Sequence, residues 1–268
     1  MSYFIHKPTG ILKDYIKFIS VLEVSEPYSD CEKLPPTGCV EITIIPGDKL
    51  SIKGKKNKSE VVSDGFVGGQ KTTYSQFIPG CKVVISLLLY PETAGVVLEI
   101  PAGELSDCYI TPEDIWKKEG RNLTDKISET TSNYERIKIL EDFVFSRIKK
   151  NYAEYDKRLA KSIQILNKSG GQTKIDKLAE NVCLSKRQLE RLFKTKVGLS
   201  PKEFSRILRF QHTLFLRQKN RDLSLTELAI MAGYFDQSHF ICDFKQISGY
   251  NPGKYFSFGE VISDYYSF

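Results

Sequence analysis

The chain is poor in the side chains on which metal sites and most catalytic centres depend. Its 268 residues include three histidines, and its six cysteines, Cys31, Cys39, Cys81, Cys108, Cys183 and Cys242, form no CxxC pair. Structural zinc needs closely spaced thiolates and imidazoles, so that chemistry is excluded. Six scattered thiols in a cytosolic chain read as separate side chains, without disulfides. His6, His212 and His239 fall outside the stretches that look like strands, which leaves a strand-built metal centre without imidazole ligands. No GxSxG, P-loop or GxGxxG occurs in a fitting context. An enzyme, a bound metal and a cofactor are therefore not expected. No apolar run approaches the roughly 20 residues of a membrane span. The opening MSYFIHKPTG lacks a basic stretch followed by an apolar one. A cytoplasmic protein without membrane contact is the expectation.

What is present is ordinary for a globular protein, 41% hydrophobic and 27% charged. The charge is uneven. Residues 156–268 carry 19 Lys+Arg against 11 Asp+Glu, whereas residues 1–155 carry 20 against 22. A basic C-terminal part beside a mildly acidic N-terminal part fits a nucleic-acid module attached to a second function.

In the N-terminal part, VEITII (Val40 to Ile45) and KVVISLLLY (Lys82 to Tyr90) are β-branched, apolar and flanked by Pro and Gly, as strands are. KKNKS (Lys55 to Ser59) reads as a polar loop, and the glycines of VVSDGFVGGQ (Val61 to Gln70) mark bends. Several short strands with turn signals predict a small sandwich or barrel. Helices follow. Thr111 precedes a Pro and two acids, Ser132 has capping-box spacing, and Ile137, Leu140, Val144 and Ile148 share one helix face. That helix packs on its own domain, links the domains or forms a dimer contact. Tyr74, Phe77, Tyr90 and Trp116 read as aromatic core, with a pocket lining as the alternative.

From Asp156 the pattern is nearly all helical. RLAKSIQIL is amphipathic and ends at Gly170-Gly171; KIDKLAENV puts Ile175, Leu178, Ala179 and Val182 on one face. Ser185 is placed to cap a further helix, in which Leu189, Leu192, Phe193 and Val197 face inward. Arg187, Glu190, Arg191 and Lys194 share the opposite face. Two short helices joined by a tight turn, the second with an exposed basic stripe, are what a helix-turn-helix needs to put side chains on base edges.

The unit occurs twice. FKTKVGLSP from Phe193 and FKQISGYNP from Phe244 share one skeleton, and Leu228-Ala229 repeats Leu178-Ala179. The offset grows by one between these two landmarks, so the second turn is one residue longer. Ser200 and Ser224 both have capping-box spacing. Between the units, Lys202 to Asn220 reads as one 19-residue helix of roughly 28 Å. Such a helix holds two recognition helices at about the 34 Å repeat of one DNA turn.

On these residues, 157–257 resemble the DNA-binding domain of AraC-type transcriptional regulators. LAENVCLSKRQLERLFKTKVGLSPKEF and LAIMAGYFDQSHFICDFKQISGYNPGKY carry the likeness. LPPTGCVEITI, VGGQKT and IPAGELSDCYITPEDIW are similar to the cupin-like sensor domain of one branch of that family. The resemblance implies two domains. Residues 1–153 are expected to form an α+β ligand-sensing or dimerisation domain, a small β-barrel or cupin-like sheet with C-terminal helices. Residues 154–258 are expected to form an all-α double helix-turn-helix domain with a long linking helix, and 259–268 a tail.

The resemblance also implies roles. Arg187, Gln188, Glu190 and Arg191 in the first unit, and Gln237, Ser238 and Cys242 in the second, match base-contacting positions. Ser185, Lys186, Lys194, His239 and Lys245 are expected on phosphates. Double-stranded DNA is the expected partner, with RNA polymerase, a small-molecule effector and a second copy of the chain as further partners. The alternative is a non-enzymatic adaptor using a degenerate domain for protein contacts. Three departures stand out from the family pattern: Cys242 where Arg is common, followed by Asp243; Cys183 where Gly is common; and Phe256 where Arg is frequent.

Overall fold

The computed structural model describes residues 2–24, 32–55, 61–78, 81–151 and 156–257. Cys31, most of the KKNKS loop, the 153/154 boundary and the 259–268 tail lie outside the described residues.

The N-terminal strands are β1 (Ser2–His6), β2 (Ile16–Glu23), β3 (Glu32–Leu34), β4 (Val40–Ile44), β5 (Leu50–Lys53), β6 (Val61–Ser63), β7 (Gly65–Gly68), β8 (Ser75–Ile78), β9 (Val83–Leu89) and β10 (Tyr109–Ile110). Six form one antiparallel sheet in the order β1-β2-β9-β4-β7-β10, and four form a second in the order β3-β8-β5-β6. The predicted strands at 40–45 and 82–90 are β4 and β9, neighbours at the centre of the larger sheet. The sheets do not close into a barrel, which corrects that half of the expectation and leaves the cupin-like sheet. The outer strands β3, β6 and β10 are two or three residues long, too short to carry a closing ladder. His6 ends β1, so one imidazole does lie on a strand. Its Nε2 sits 2.9 Å from Glu141 Oε1, and no cluster of three metal-ligating side chains occurs among the described residues.

The helices of this part are α1 (Ala94–Leu98), α2 (Pro112–Trp116), α3 (Lys118–Glu129) and α4 (Asn133–Asn151). Thr111 caps α2 through a reciprocal box with Asp114, with Pro112 in the first turn. Ile137, Leu140, Val144 and Ile148 of α4 are buried in the same core as Ile19, Ile42 and Leu87 of the sheet, so α4 packs on its own domain. Trp116 is core and donates from Nε1 to the Val97 carbonyl at 3.2 Å.

The C-terminal part is α5 (Lys157–Lys168), α6 (Ile175–Asn181), α7 (Lys186–Lys196), α8 (Pro201–Lys219), α9 (Leu225–Met231), α10 (Gln237–Ser248) and α11 (Pro252–Ser257). All seven feed one core in which Phe193, Phe204, Phe210, Phe240 and Phe244 are fully buried. The expected linking helix is α8, displaced by one residue because Ser200 caps it in a box with Glu203. A second box, Ser224 with Glu227, starts α9. No helix among the described residues is long and apolar enough to cross a membrane.

Candidate nucleic-acid interface

Helices α6 and α7 form one helix-turn-helix, and α9 and α10 form the other. The turns are built alike. Leu184 N donates to Ala179 O and Tyr234 N donates to Ala229 O, each at 3.0 Å. Ser185 then caps α7 by accepting from Gln188 N, and Asp236 caps α10 by accepting from His239 N. Counted from these bonds, Leu184 matches Tyr234, and the extra residue of the second turn is Phe235.

Ser185, Lys186, Arg187, Gln188, Glu190, Arg191 and Lys194 are all exposed on α7. Arg187, Glu190 and Arg191 stand on the face opposite the buried Leu189 and Phe193. Gln188 gives its Oε1 to the Ser185 amide at 2.9 Å, so only its NH₂ remains for a base. Lys186 pairs with Asp176 at 3.0 Å and Lys194 with Glu203 at 2.9 Å, so a phosphate must compete with a carboxylate for each. Burial alone would raise the Glu203 carboxyl; hydrogen bonds from Ser200 and Lys194 outweigh it and bring the group down to about 2.

On α10, Ser238, His239, Cys242 and Lys245 are exposed, and Gln237 is half-exposed with its Oε1 accepting from Thr226 Oγ1 at 2.9 Å. Asp243, which follows Cys242 in the chain, points inward. It is buried, ion-paired with Arg206 and 3.3 Å from the Tyr234 hydroxyl. Cys183 has φ +54°, in the left-handed region that Gly233 occupies at +81°. Phe256 packs against Phe244, the rings tilted by 60°, and lies under the Arg217 guanidinium.

Among the described residues, hydrogen bonds at four places tie the sheet domain to the helical one, and the sequence pointed to none of these donors. Ser106 Oγ donates to the Gly198 carbonyl at 2.5 Å, and Lys33 Nζ to the Gly249 carbonyl at 3.0 Å. Thr73 Oγ1 donates to the Gln246 carbonyl at 2.5 Å, and Gln211 Nε2 to the Pro36 carbonyl at 2.6 Å. Lys33 also lies 4.9 Å and 4.5 Å from the ring centres of Tyr74 and Tyr250, one from each domain. Gly198 and Gly249 are the glycines of the repeated FK-x3-G skeleton, so both units are held at one repeat position. Their φ values are +93° and +77°. A Cβ on Gly198 would meet the Ala102 carbonyl at 2.8 Å, and one on Gly249 the Tyr74 ring at 2.7 Å. The repeated glycine was the available signal.

A narrow cavity of about 40 Å³ lies between the two sheets. Leu22, Leu34, Ile52, Phe66, Phe77 and Val84 give it apolar walls; Glu41, Thr43 and Ser86 form a hydrogen-bonded polar cluster within it. Phe77 thus lines the cavity, while Tyr74 serves the domain contact. A second hollow shares Leu34, Glu41 and Tyr109 with the first and adds Lys71. Burial holds the Lys71 ammonium down to about 8; it donates to the Gly69 carbonyl at 2.5 Å and sits 3.9 Å from the Tyr109 ring centre. Each domain-tying donor on the sheet side is near a cavity residue: Lys33 beside Leu34, Thr73 two after Lys71, Ser106 three before Tyr109.

The fold and site define a two-domain, double helix-turn-helix protein. Residues 178–257 match the family described as a helix-turn-helix domain, and this segment is a helix-turn-helix domain of the AraC type. Residues 5–111, which hold β2 to β10 and the end of β1, match a family described as a domain of unknown function (DUF6597). The transcriptional regulator MtrA of Neisseria gonorrhoeae is 38% identical over 101 residues, 37% of this chain and 33% of that protein. GbdR of Pseudomonas aeruginosa, also named a transcriptional regulator, is 28% identical over 52% of this chain and 37% of its own. The chain therefore spans about a third of the length of the curated relatives it matches. The crystal structure of ToxT from Vibrio cholerae shares the fold across both domains, with a TM-score of 0.52, 14% identity and coverage of 90% of this chain and 97% of ToxT. A ToxT structure with a bound unsaturated fatty acid matches at 0.50 with 13% identity, covering 95% of each chain.

Proposed function

We propose that this chain is a cytoplasmic transcription regulator that binds promoter DNA with α7 and α10 in successive major-groove segments. The observation that carries the reading is the presence, in one core, of two capped recognition helices whose outer faces are free of the sheet domain. Arg187 and Arg191 suit guanine, Glu190 suits cytosine, and the NH₂ groups of Gln188 and Gln237 can donate to a base acceptor such as a purine N7, with Ser238 and Cys242 beside them. Ser185, Lys186, Lys194, His239 and Lys245 take phosphates. Residues 154–258 act as this reader and residues 1–153 as a sensor.

The sensor's ligand is an apolar molecule with a polar end, matching the cavity walls and the Glu41–Thr43–Ser86 cluster, and the sheets must part to admit it because the cavity of about 40 Å³ is too narrow as it stands. The fatty acid held by ToxT is of that kind. Filling the cavity shifts β3 and the segments at 71–73 and 106–109, and with them the hold on both recognition helices. RNA polymerase and a second copy of the chain are the further partners of this reading.

The test is binding of the full chain to DNA selected from a random pool. Affinity falls steeply with salt, and Arg191→Ala weakens it and relaxes preference at one base pair. Binding no stronger than to unrelated DNA at about 100 mM salt favours the adaptor reading, which Cys242 supports.

A further inference from the structure

We propose that the second unit reads thymine through Phe235, an apolar contact placed by the one-residue insertion in its turn. The inference rests on DNA binding by α10. Three observations lead to it. First, Phe235 is 91% exposed, while the matched positions Leu184 and Tyr234 both pack into the core. An exposed phenylalanine forgoes the burial that usually stabilises that side chain. Second, Phe235 directly precedes the cap of α10, where a residue commonly staples onto the fourth helical position. In the first unit Leu184 lies against the core that contains Leu189, as a staple does; in the second, Phe240 is fully buried without Phe235. The ring is thus spare, and it stands at the end of the helix that reaches base edges. Third, the exposed contact positions beside it, Ser238 and Cys242, bear no charge, unlike Arg187, Glu190 and Arg191. The major groove offers one apolar feature, the thymine C5-methyl, and phenylalanine is a side chain that packs on it.

The occupant is therefore a thymine methyl in the second half-site, and the first unit reads polar edges alone. Ile230 and Met231, also exposed on this unit, stand where the first unit has Glu180 and Asn181. A protein partner on that apolar surface is the competing outcome.

The full chain is used to select DNA from a random pool, and each thymine of the selected site is replaced in turn by uracil, which removes only the methyl. One uracil in the second half-site is expected to lower affinity about four-fold, the worth of one buried methyl group. Phe235→Ala lowers affinity for the thymine site by at least as much and abolishes the difference between thymine and uracil at that position. Its unfolding midpoint stays that of the parent, since the ring touches no core. If the parent binds specifically but uracil has no effect at any position of that half-site, or Phe235→Ala retains the discrimination, the inference falls. If Phe235→Ala binds DNA as the parent does, the surface serves a protein instead. Absence of any specific binding by the parent overturns the underlying reading.

Discussion

Leu178-Ala179 and Leu228-Ala229 are buried alike, Ser185 and Asp236 cap alike, and Gly198 and Gly249 leave their helices alike. Where the two units face solvent they diverge. The first shows Arg187, Glu190 and Arg191; the second shows Phe235, Ser238 and Cys242. Core positions are fixed by close packing, in which one methylene is felt. Exposed positions are free to follow whatever they touch. A duplicated scaffold with diverged outer faces is thus what unequal half-sites would select.

The contrast is open to direct tests. The largest effect is expected from Arg191→Ala, about 1–3 kcal/mol of DNA affinity with relaxed preference at one base pair. Cys242→Ala should cost under about 0.5 kcal/mol, because a thiol offers neither charge nor fork. Equal losses, read by titration on the selected site, would erase the asymmetry. Next come the turns. Cys183→Gly should stabilise the chain by about 1 kcal/mol, relieving a side chain held at positive φ, and Gly233→Ala should destabilise it by a similar amount. Opposite shifts in thermal midpoint are the readout. For the domain contact, Ser106→Ala should speed amide exchange at the end of α7 and Lys33→Met at the end of α10. Each removes a hydrogen bond of about 1 kcal/mol.

The smallest effect concerns acid. Glu203 sits near 2 in the folded chain against 4.5 unfolded, so its stabilisation is present above 4.5 and is lost as pH falls from there towards 2. Glu227 is lowered by Ser224 alone and is fully exposed. Glu203→Gln should therefore flatten the acid limb of stability against pH more than Glu227→Gln does.

Much of the helical domain was legible because its signals are local. Ser200 and Ser224 announce their helices three residues before Glu203 and Glu227, and the apolar spacing of α6 and α7 gives their inner faces directly. The sheet order was not legible. β9 lies between β2 and β4, and nothing within 82–90 names partners some 40 and 65 residues away. The inward role of Asp243 was not legible, since its partner Arg206 lies on another helix. The donors Lys33, Thr73 and Ser106 were missed because each bonds to a main-chain carbonyl, which has no spelling. Phe235 was hidden in the offset of 51, visible as a count and not as a residue.

Those carbonyls have a consequence for how such a chain can change over generations. A latch that grips peptide oxygens does not depend on which side chains stand nearby, provided the glycine stays. Substitutions on the outer faces of α7 or α10 can therefore accumulate without loosening the sheet domain's hold. Substitutions in the cavity of the sheet domain need not disturb those outer faces. The repeated glycine lets the two domains evolve on separate clocks.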